Sequence, residues 1–381
     1  MKFTTIELIN RKIISIVLVF FLLLSAPIFS LQVKAASYTV TPLSGVLLSC
    51  NGTEVFSDAD SGTLISTLPV NTPVEVVGST SNGFWQVNLN GNICYIPQGA
   101  LSMAANTTAY RLTSYDVGAA LVASPVTGKI IYAQGATDKL EPASTTKIMT
   151  TLLVVEAIEN GQITLDTPVM VSATALATLP TDASHVNPKL QTGEIMTVSQ
   201  LLSAVMVSSD CYACNVLAEL VTGSVSDFVR LMNARAAQIG CVATNFTNPS
   251  GYPDKNMYTN AISLYLITAT AIAHPLFNQF FGQASTVIPS TNMCPVVRTL
   301  VNTDSLMIPG SAYYNPSVTG GKTGTANKAG QCLVSVASKE GKTIISVVLK
   351  GQNRIMYDGN IISTRYYESN RLLDFGFSNY Y

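Results

Sequence analysis

Two stretches decide how this chain folds: Pro142-Ala143-Ser144-Thr145-Thr146-Lys147-Ile148-Met149-Thr150 and Gly320-Gly321-Lys322-Thr323-Gly324-Thr325. The first holds a Ser-x-x-Lys step just after a proline, and the pattern predicts a helix over Ser144 to Glu159, stopped by Asn160-Gly161. The second reads as a Gly-flanked turn that carries a lysine into a strand. A Ser-x-x-Lys step arises by chance about once in a chain of this composition, and its ordinary use is a helix cap beside a solvated lysine. Joined to the Lys-Thr-Gly element, it has the layout of a serine acyl-transfer site whose base is lysine.

The chemistry follows from position. In the first helical turn the Ser144 hydroxyl lies among free backbone N–H groups, where the macrodipole favours developing negative charge. Lys147 projects from the same face one turn on, within reach of the serine oxygen. An amine works as a base only once it has lost its proton, and burial beside a second cation promotes that. Lys322 is that cation if its strand lies beside the helix. Gly320-Gly321 allow close backbone approach, and Gly324 leaves the Thr325 N–H free to face an oxyanion. Lys322 and Thr323 suit a substrate carboxylate. The chain has two histidines. His185 lies in a polar loop and His274 precedes Pro275 at a helix end; both read as surface or capping residues, so a Ser-His-Asp triad finds no support.

Outward from these stretches, the period of apolar residues assigns the rest. Ala119 to Ala123 and Lys129 to Ala133 read as strands joined by a turn at Pro125-Val126-Thr127-Gly128. Val198 to Val207, Tyr212 to Val221, Ser226 to Ile239 and Thr259 to Ala273 read as helices. Cys332 to Ala337 and Thr343 to Leu349 are strands, and a last helix covers Asn360 to Leu373. Strands at both ends with helices between them predict one antiparallel sheet packed on a helical half, an α/β fold.

The 381 residues suffice for two domains, and 48% apolar with 11% charged residues supports a large core. A net charge of −1 leaves no electrostatic footprint for nucleic acid. Lys2, Arg11 and Lys12 precede an apolar run from Ile13, and Val33-Lys34-Ala35-Ala36 offers small residues for cleavage. Residues 1–36 therefore read as a secretory signal peptide, with a retained anchor as the alternative. Either places the remainder outside the cytoplasm. Seven cysteines include a lone Cys211-Tyr212-Ala213-Cys214 without thioredoxin-like βαβ context, and none forms a zinc pattern. No metal or other cofactor is expected.

Between Thr41 and Ser102, Leu64 to Leu68, Val74 to Val77, Phe84 to Leu89 and Ile93 to Ile96 read as strands, with hairpin turns at Asn82-Gly83 and Asn90-Gly91. This segment resembles a bacterial SH3-like domain, a small β-barrel, with Cys94 where that family usually has glycine. A Cys50–Cys94 bridge is open to it. Such domains commonly bind cell-wall peptides; a spacer role is the alternative. The resulting division is 1–36 leader, 37–103 SH3-like domain, 104–112 linker and 113–381 catalytic domain.

Residues 115 to 378 resemble the serine-type D-alanyl-D-alanine carboxypeptidases, the low-molecular-mass penicillin-binding proteins. The resemblance rests on Thr127-Gly-Lys-Ile-Ile-Tyr132, Pro142-Ala-Ser-Thr-Thr-Lys-Ile-Met-Thr150, Asn245-Phe-Thr-Asn-Pro-Ser-Gly251, Gly320-Gly-Lys-Thr-Gly-Thr325 and Leu372-Leu-Asp-Phe-Gly-Phe377, in the family's order. It implies a penicillin-binding, β-lactamase-like transpeptidase fold and Ser144 as the acylated nucleophile with Lys147 as its base. It also implies Lys322-Thr323-Gly324 as the carboxylate-binding strand and the N–H groups of Ser144 and Thr325 as the oxyanion hole. The implied partners are a peptidoglycan stem peptide ending in D-Ala-D-Ala, β-lactam antibiotics, and the cell wall through the SH3-like domain.

The chain departs from the family at its third motif, Ser-x-Asn, where Ser209-Asp210-Cys211 stands. Ser209 matches and suits a proton relay. Cys211 offers a weaker donor and acceptor than an amide, which is expected to cost roughly 1.5–3 kcal/mol, about one to two decades in rate. Ser263 stands where the family usually has Asp, so a helix cap or ion pair is expected to be missing. After Phe377 come Ser378-Asn379-Tyr380-Tyr381, where many relatives continue into a β-rich domain and an amphipathic membrane helix, so a tether is expected at the N-terminus or the SH3-like module. Two rival readings stay open: a β-lactamase or esterase of the same fold, against which no Glu-x-x-Leu-Asn element is found, and a catalytically weak cell-wall-binding protein.

Overall fold

Five strands build the central antiparallel sheet, in the order Val318–Ala326, Gly330–Lys339, Lys342–Gly351, Ala119–Ala123, Ile130–Gln134. The computed structural model describes residues 38–49, 53–60, 62–68, 73–89, 91–103, 117–355 and 361–380. Side chains alternate across each strand. Ala120, Val122, Ile344 and Val348 pack on Leu372 and Leu373 of the helix Thr364–Ser378. Leu121, Ala123, Ile345, Val347 and Leu349 join the main core on the other side. Both faces are covered, so the strands read as apolar runs instead of the polar-apolar alternation usual in antiparallel sheets. Each such Val, Leu or Ile contributes about 1.5–3 kcal/mol of burial.

The helix Lys147–Glu159 is buried along ten of its thirteen residues, which makes it the axis of the helical half. Around it pack Val198–Val207, Cys211–Thr222, Val225–Ile239, Ala261–Ile272 and Pro275–Phe281. Their starts are set by side chains: Thr197 and Gln200 form a reciprocal capping box, and Asp210, Ser224 and Asn260 each accept a backbone N–H of the turn that follows. The cap expected to be missing at Ser263 is present. Asn260 supplies it, accepting Ser263 N–H at 2.8 Å. The last helix runs to Ser378, five residues past the expected end at Leu373, because the chain stays packed on the sheet.

A second antiparallel sheet precedes these elements, ordered Leu64–Leu68, Thr53–Phe56, Asn92–Pro97, Phe84–Leu89, Pro73–Thr80, Val40–Ser49, Leu101–Met103. All four expected strands are present. Gly83 (φ 89°) and Gly91 (φ 86°) occupy the left-handed positions that the hairpin turns demand. Val55, Val76, Trp85, Val87 and Ile96 belong to the same hydrophobic core as the helical half. Gly99 lies directly against Ile262, and Phe84 against Gly240. Tyr38–Tyr381 accordingly form one compact unit. Cys94 carries a free, buried thiol, and its suggested partner Cys50 lies outside the described residues, as do the leader 1–36 and the linker 104–112.

Candidate active site

Ser144 sits in a single 3-10 turn, Ala143–Thr146, and the α-helix begins only at Lys147. The expected α-helical first turn is wound tighter because Thr145 donates both its N–H (3.3 Å) and its hydroxyl (2.7 Å) to the Pro142 carbonyl. Ala143 is held at φ 46°, a left-handed conformation rare for a residue with a Cβ. Its carbonyl is pressed against Gly251, where any Cβ would lie 1.8 Å away. Strain of this kind, about 1–3 kcal/mol per residue, concentrates at functional sites.

Lys147 is fully buried, and its ammonium group donates three hydrogen bonds: to Ser144 Oγ at 2.9 Å, to the Ser250 carbonyl at 2.7 Å and to Cys211 Sγ at 3.5 Å. That exhausts its donors. The Ser250 carbonyl is held in place by Asn248, whose Oδ1 accepts the N–H groups of Ser250, Gly251 and Tyr252. Thr150 Oγ1 also donates to the Pro249 carbonyl at 2.6 Å. The Asn245 to Gly251 segment thus supplies the amine with a fixed acceptor besides the serine.

The Gly320 to Thr325 stretch is not a turn but the interior of the strand Val318–Ala326, at the edge of the central sheet. Its glycines answer to close approach. A Cβ on Gly321 would meet the Asp304 carboxylate at 2.0 Å, and one on Gly324 would lie 2.9 Å from Ser144 N. The strand therefore lies against the nucleophile turn, as the chemistry required. Lys322 is buried, and that burial, reinforced by the Lys147 charge, lowers its amine to about 7. Asp304 lies behind the strand, fully buried, and burial lifts its carboxyl to about 6 against the pull of the Leu306 N–H, Arg365 and Lys322.

Ser144, Cys211 and Thr325 line an open cleft of 520 Å³, together with Asp182, Ser184, Tyr252 and Asp254. Lys147, Ser209, Lys322, Thr323 and Gly324 are buried and do not line it; Lys147 bonds Ser144, and Gly324 lies against the Ser144 backbone nitrogen. Ser209 has φ 61° and is buried two residues before Cys211, and its hydroxyl makes no hydrogen bond to Lys147 or Ser144, so the structure does not engage it with the nucleophile. Asp210 ties the loop bearing Asp182 to Ser184 to the helix Cys211–Thr222: its carboxylate accepts Val186 N–H at 2.7 Å and Ala213 N–H at 2.8 Å, while Cys211 N–H donates to the Ser184 carbonyl. Burial raises the Asp210 carboxyl, opposed by those N–H donors and by Lys147. The fully buried Arg298–Glu194 pair (2.8 Å) anchors the far end of the same loop, where Arg298 Nε also donates to the Pro188 carbonyl. His274 pairs with Glu159 and His185 Nδ1 contacts the Val186 carbonyl; neither lines the cleft.

Sequence reasoning missed Asp304, Arg365 and the Ser250 carbonyl. Arg365 Nη1 donates to the Gly324 carbonyl at 3.0 Å and to Thr325 Oγ1 at 2.8 Å, which puts a permanent cation beside Thr325. Its position at the start of the last helix gives no local signal.

Residues 105–353 match a family profile described as D-alanyl-D-alanine carboxypeptidase. The chain is 29% identical over 267 residues to D-alanyl-D-alanine carboxypeptidase DacF of Bacillus subtilis, covering 70% of this chain and 64% of that protein. It is 30% identical over 266 residues to DacC of Escherichia coli, covering 69% and 62%. It thus spans under two thirds of either relative. The structure superimposes on the Streptomyces K15 DD-transpeptidase with a TM-score of 0.60 at 26% identity, over 69% of this chain and 97% of that one. The α/β architecture is that of the penicillin-binding, transpeptidase-like fold. Fold, motif order and the lysine-serine cage agree, and the chain belongs to the D-alanyl-D-alanine carboxypeptidase family, peptidase S11.

Proposed function

We propose that this chain is a serine D-Ala-D-Ala carboxypeptidase that releases the terminal D-alanine of peptidoglycan stem peptides through an acyl-enzyme at Ser144, with water as the final acceptor. The observation that carries this reading is the 2.9 Å Lys147–Ser144 contact inside a cage of fixed acceptors. A neutral amine keeps two N–H donors and one lone pair. The Ser250 carbonyl and Cys211 Sγ take the donors, which directs the lone pair at the Ser144 hydroxyl.

In this mechanism Ser144 Oγ attacks the penultimate carbonyl as Lys147 takes its proton. The oxyanion forms at the N–H groups of Ser144 and Thr325. Ser209, two residues before Cys211, passes the proton to the departing D-alanine amine. Water then attacks the ester as Lys147 takes a proton from it, and Lys147 returns that proton to the Ser144 oxygen as the acyl group departs. Lys322, Thr323 and the Arg365 cation hold the substrate's terminal carboxylate, with Gly324 keeping the strand close to the nucleophile. β-Lactams acylate the same serine. The N-terminal sheet is an SH3-like module that contacts cell-wall peptide, a reading supported by its strand order and hairpin turns. Residues 1–36 direct the chain out of the cytoplasm.

The test is intact mass after incubation with a penicillin, for wild type and Ser144→Ala, alongside D-alanine release from a pentapeptide. A single adduct on wild type, none on Ser144→Ala, and free D-alanine are expected. Wild type without adduct would sink the acyl-enzyme, and an adduct lost within seconds would favour a β-lactamase.

A further inference from the structure

Cys211 and Cys214 stand three apart at the start of one helix, and only one of them meets the cleft. Cys211 is the first residue of Cys211–Thr222 and lines the cavity that holds Ser144, with its Sγ accepting from Lys147 Nζ at 3.5 Å. Cys214 is wholly buried one turn behind it, its thiol donating to the Asp210 carbonyl at 3.2 Å. Both are free thiols. Side chains three apart on a helix have Cβ atoms about 5–6 Å apart. A disulfide needs about 3.5–4.5 Å, so the first turn must close by roughly 1–2 Å. The N–H groups of that turn bond outside the helix ladder, Cys211 to the Ser184 carbonyl and Ala213 to the Asp210 carboxylate, so the closure strains those two contacts and breaks no i to i−4 bond.

We propose that Cys211 is a modification site for small disulfides inside the acyl-transfer cleft, with Cys214 as its resolving partner. The inference rests on the carboxypeptidase reading only for its effect on acylation. Cys211, as thiolate, attacks one sulfur of a low-molecular-mass disulfide, forming a mixed disulfide and expelling one thiol. Cys214, as thiolate, then attacks Cys211 Sγ, which forms the internal S–S bond and expels the second thiol. The reagent gains two electrons and the two cysteine protons. Burial pushes the Cys214 thiol up, so it waits protonated behind Cys211 until the first step opens the turn. Closing the bond draws Cys211 Sγ along the helix, away from Lys147. The amine loses one of the two acceptors that orient it.

The test treats the purified full chain with hydroxyethyl disulfide and maps the peptide containing Cys211 and Cys214. Wild type should become two hydrogen atoms lighter in that peptide and acylate with penicillin about tenfold more slowly, with full recovery on reduction. Cys214→Ala, which leaves the cleft wall intact, should acylate normally and then retain a mercaptoethanol adduct on Cys211. Cys211→Asn should keep its own acylation rate under the reagent. An unmodified peptide in both wild type and Cys214→Ala overturns the proposal. A stable adduct on wild-type Cys211 overturns the resolving role of Cys214. Absence of any penicillin adduct before treatment would refute the carboxypeptidase reading instead, and the thiol masses would remain readable.

Discussion

Gly324→Ala places one methyl group at the tightest contact between the strand Val318–Ala326 and the nucleophile turn. The new Cβ would lie 2.9 Å from Ser144 N and 3.0 Å from both Ala143 Cβ and the Pro142 carbonyl. All three belong to backbone or to a residue held at φ 46°, so none can swing aside as a flexible side chain would. Relief requires the strand and the turn to part by about half an ångström, given ordinary contacts near 3.5–4.0 Å. Misplacement of reacting groups costs roughly 100-fold in rate per ångström, so acylation should slow about tenfold. Overpacking adds about 1–3 kcal/mol of destabilisation. At about 1.4 °C per kcal/mol for a unit of this size, that lowers Tm by roughly 1–4 °C. Stopped-flow acylation by a chromogenic cephalosporin, paired with a thermal melt, separates the two effects. A variant that acylates within twofold of wild type while its Tm falls would refute the claim that this contact sets the nucleophile's position.

Three further outcomes follow from the buried charges and the altered third motif. Lys322 is charged below about 7 and neutral above, so kcat/KM for a peptide ending in a free carboxylate should fall as pH rises through about 7; a profile that rises there would contradict Lys322 as a carboxylate ligand. The Asp304 carboxyl, raised from 3.8 to about 6, binds its proton more tightly folded than unfolded, so this group should remove about 3 kcal/mol of stability as pH rises across that window. Asp304→Asn should abolish that slope in denaturant titrations, and parallel wild-type and variant slopes would count against it. Cys211→Asn restores a stronger hydrogen-bonding group beside Lys147 and should raise D-alanine release about ten- to a hundredfold; a variant no faster than wild type would show that the thiol costs nothing.

Much of the fold was legible because it is local. The helix Val198–Val207 and the strands Leu64–Leu68, Ala119–Ala123 and Phe84–Leu89 fall where apolar period and turn residues place them. The Lys-Thr-Gly element misled for an instructive reason. Glycine signals a turn when only neighbours in sequence are considered, yet at Gly321 and Gly324 it answers to Asp304 and Ser144, which only the tertiary fold brings near. Arg365 and Ser250 escaped for related reasons. The first reaches Gly324 from forty-one residues away, and the second contributes a backbone carbonyl that every residue possesses.

The shared core between the N-terminal sheet and the helical half has a mechanical meaning. Gly99 on Ile262, Phe84 on Gly240 and the common apolar cluster leave no slack between the two parts. A module joined this way acts as a bracket. If that sheet holds the cell wall, as proposed, the grip would fix the direction in which the Ser144 cleft faces, and the reach of the site would be set by rigid geometry and not by the length of a leash. Heat or denaturant should also undo both parts together, in one transition.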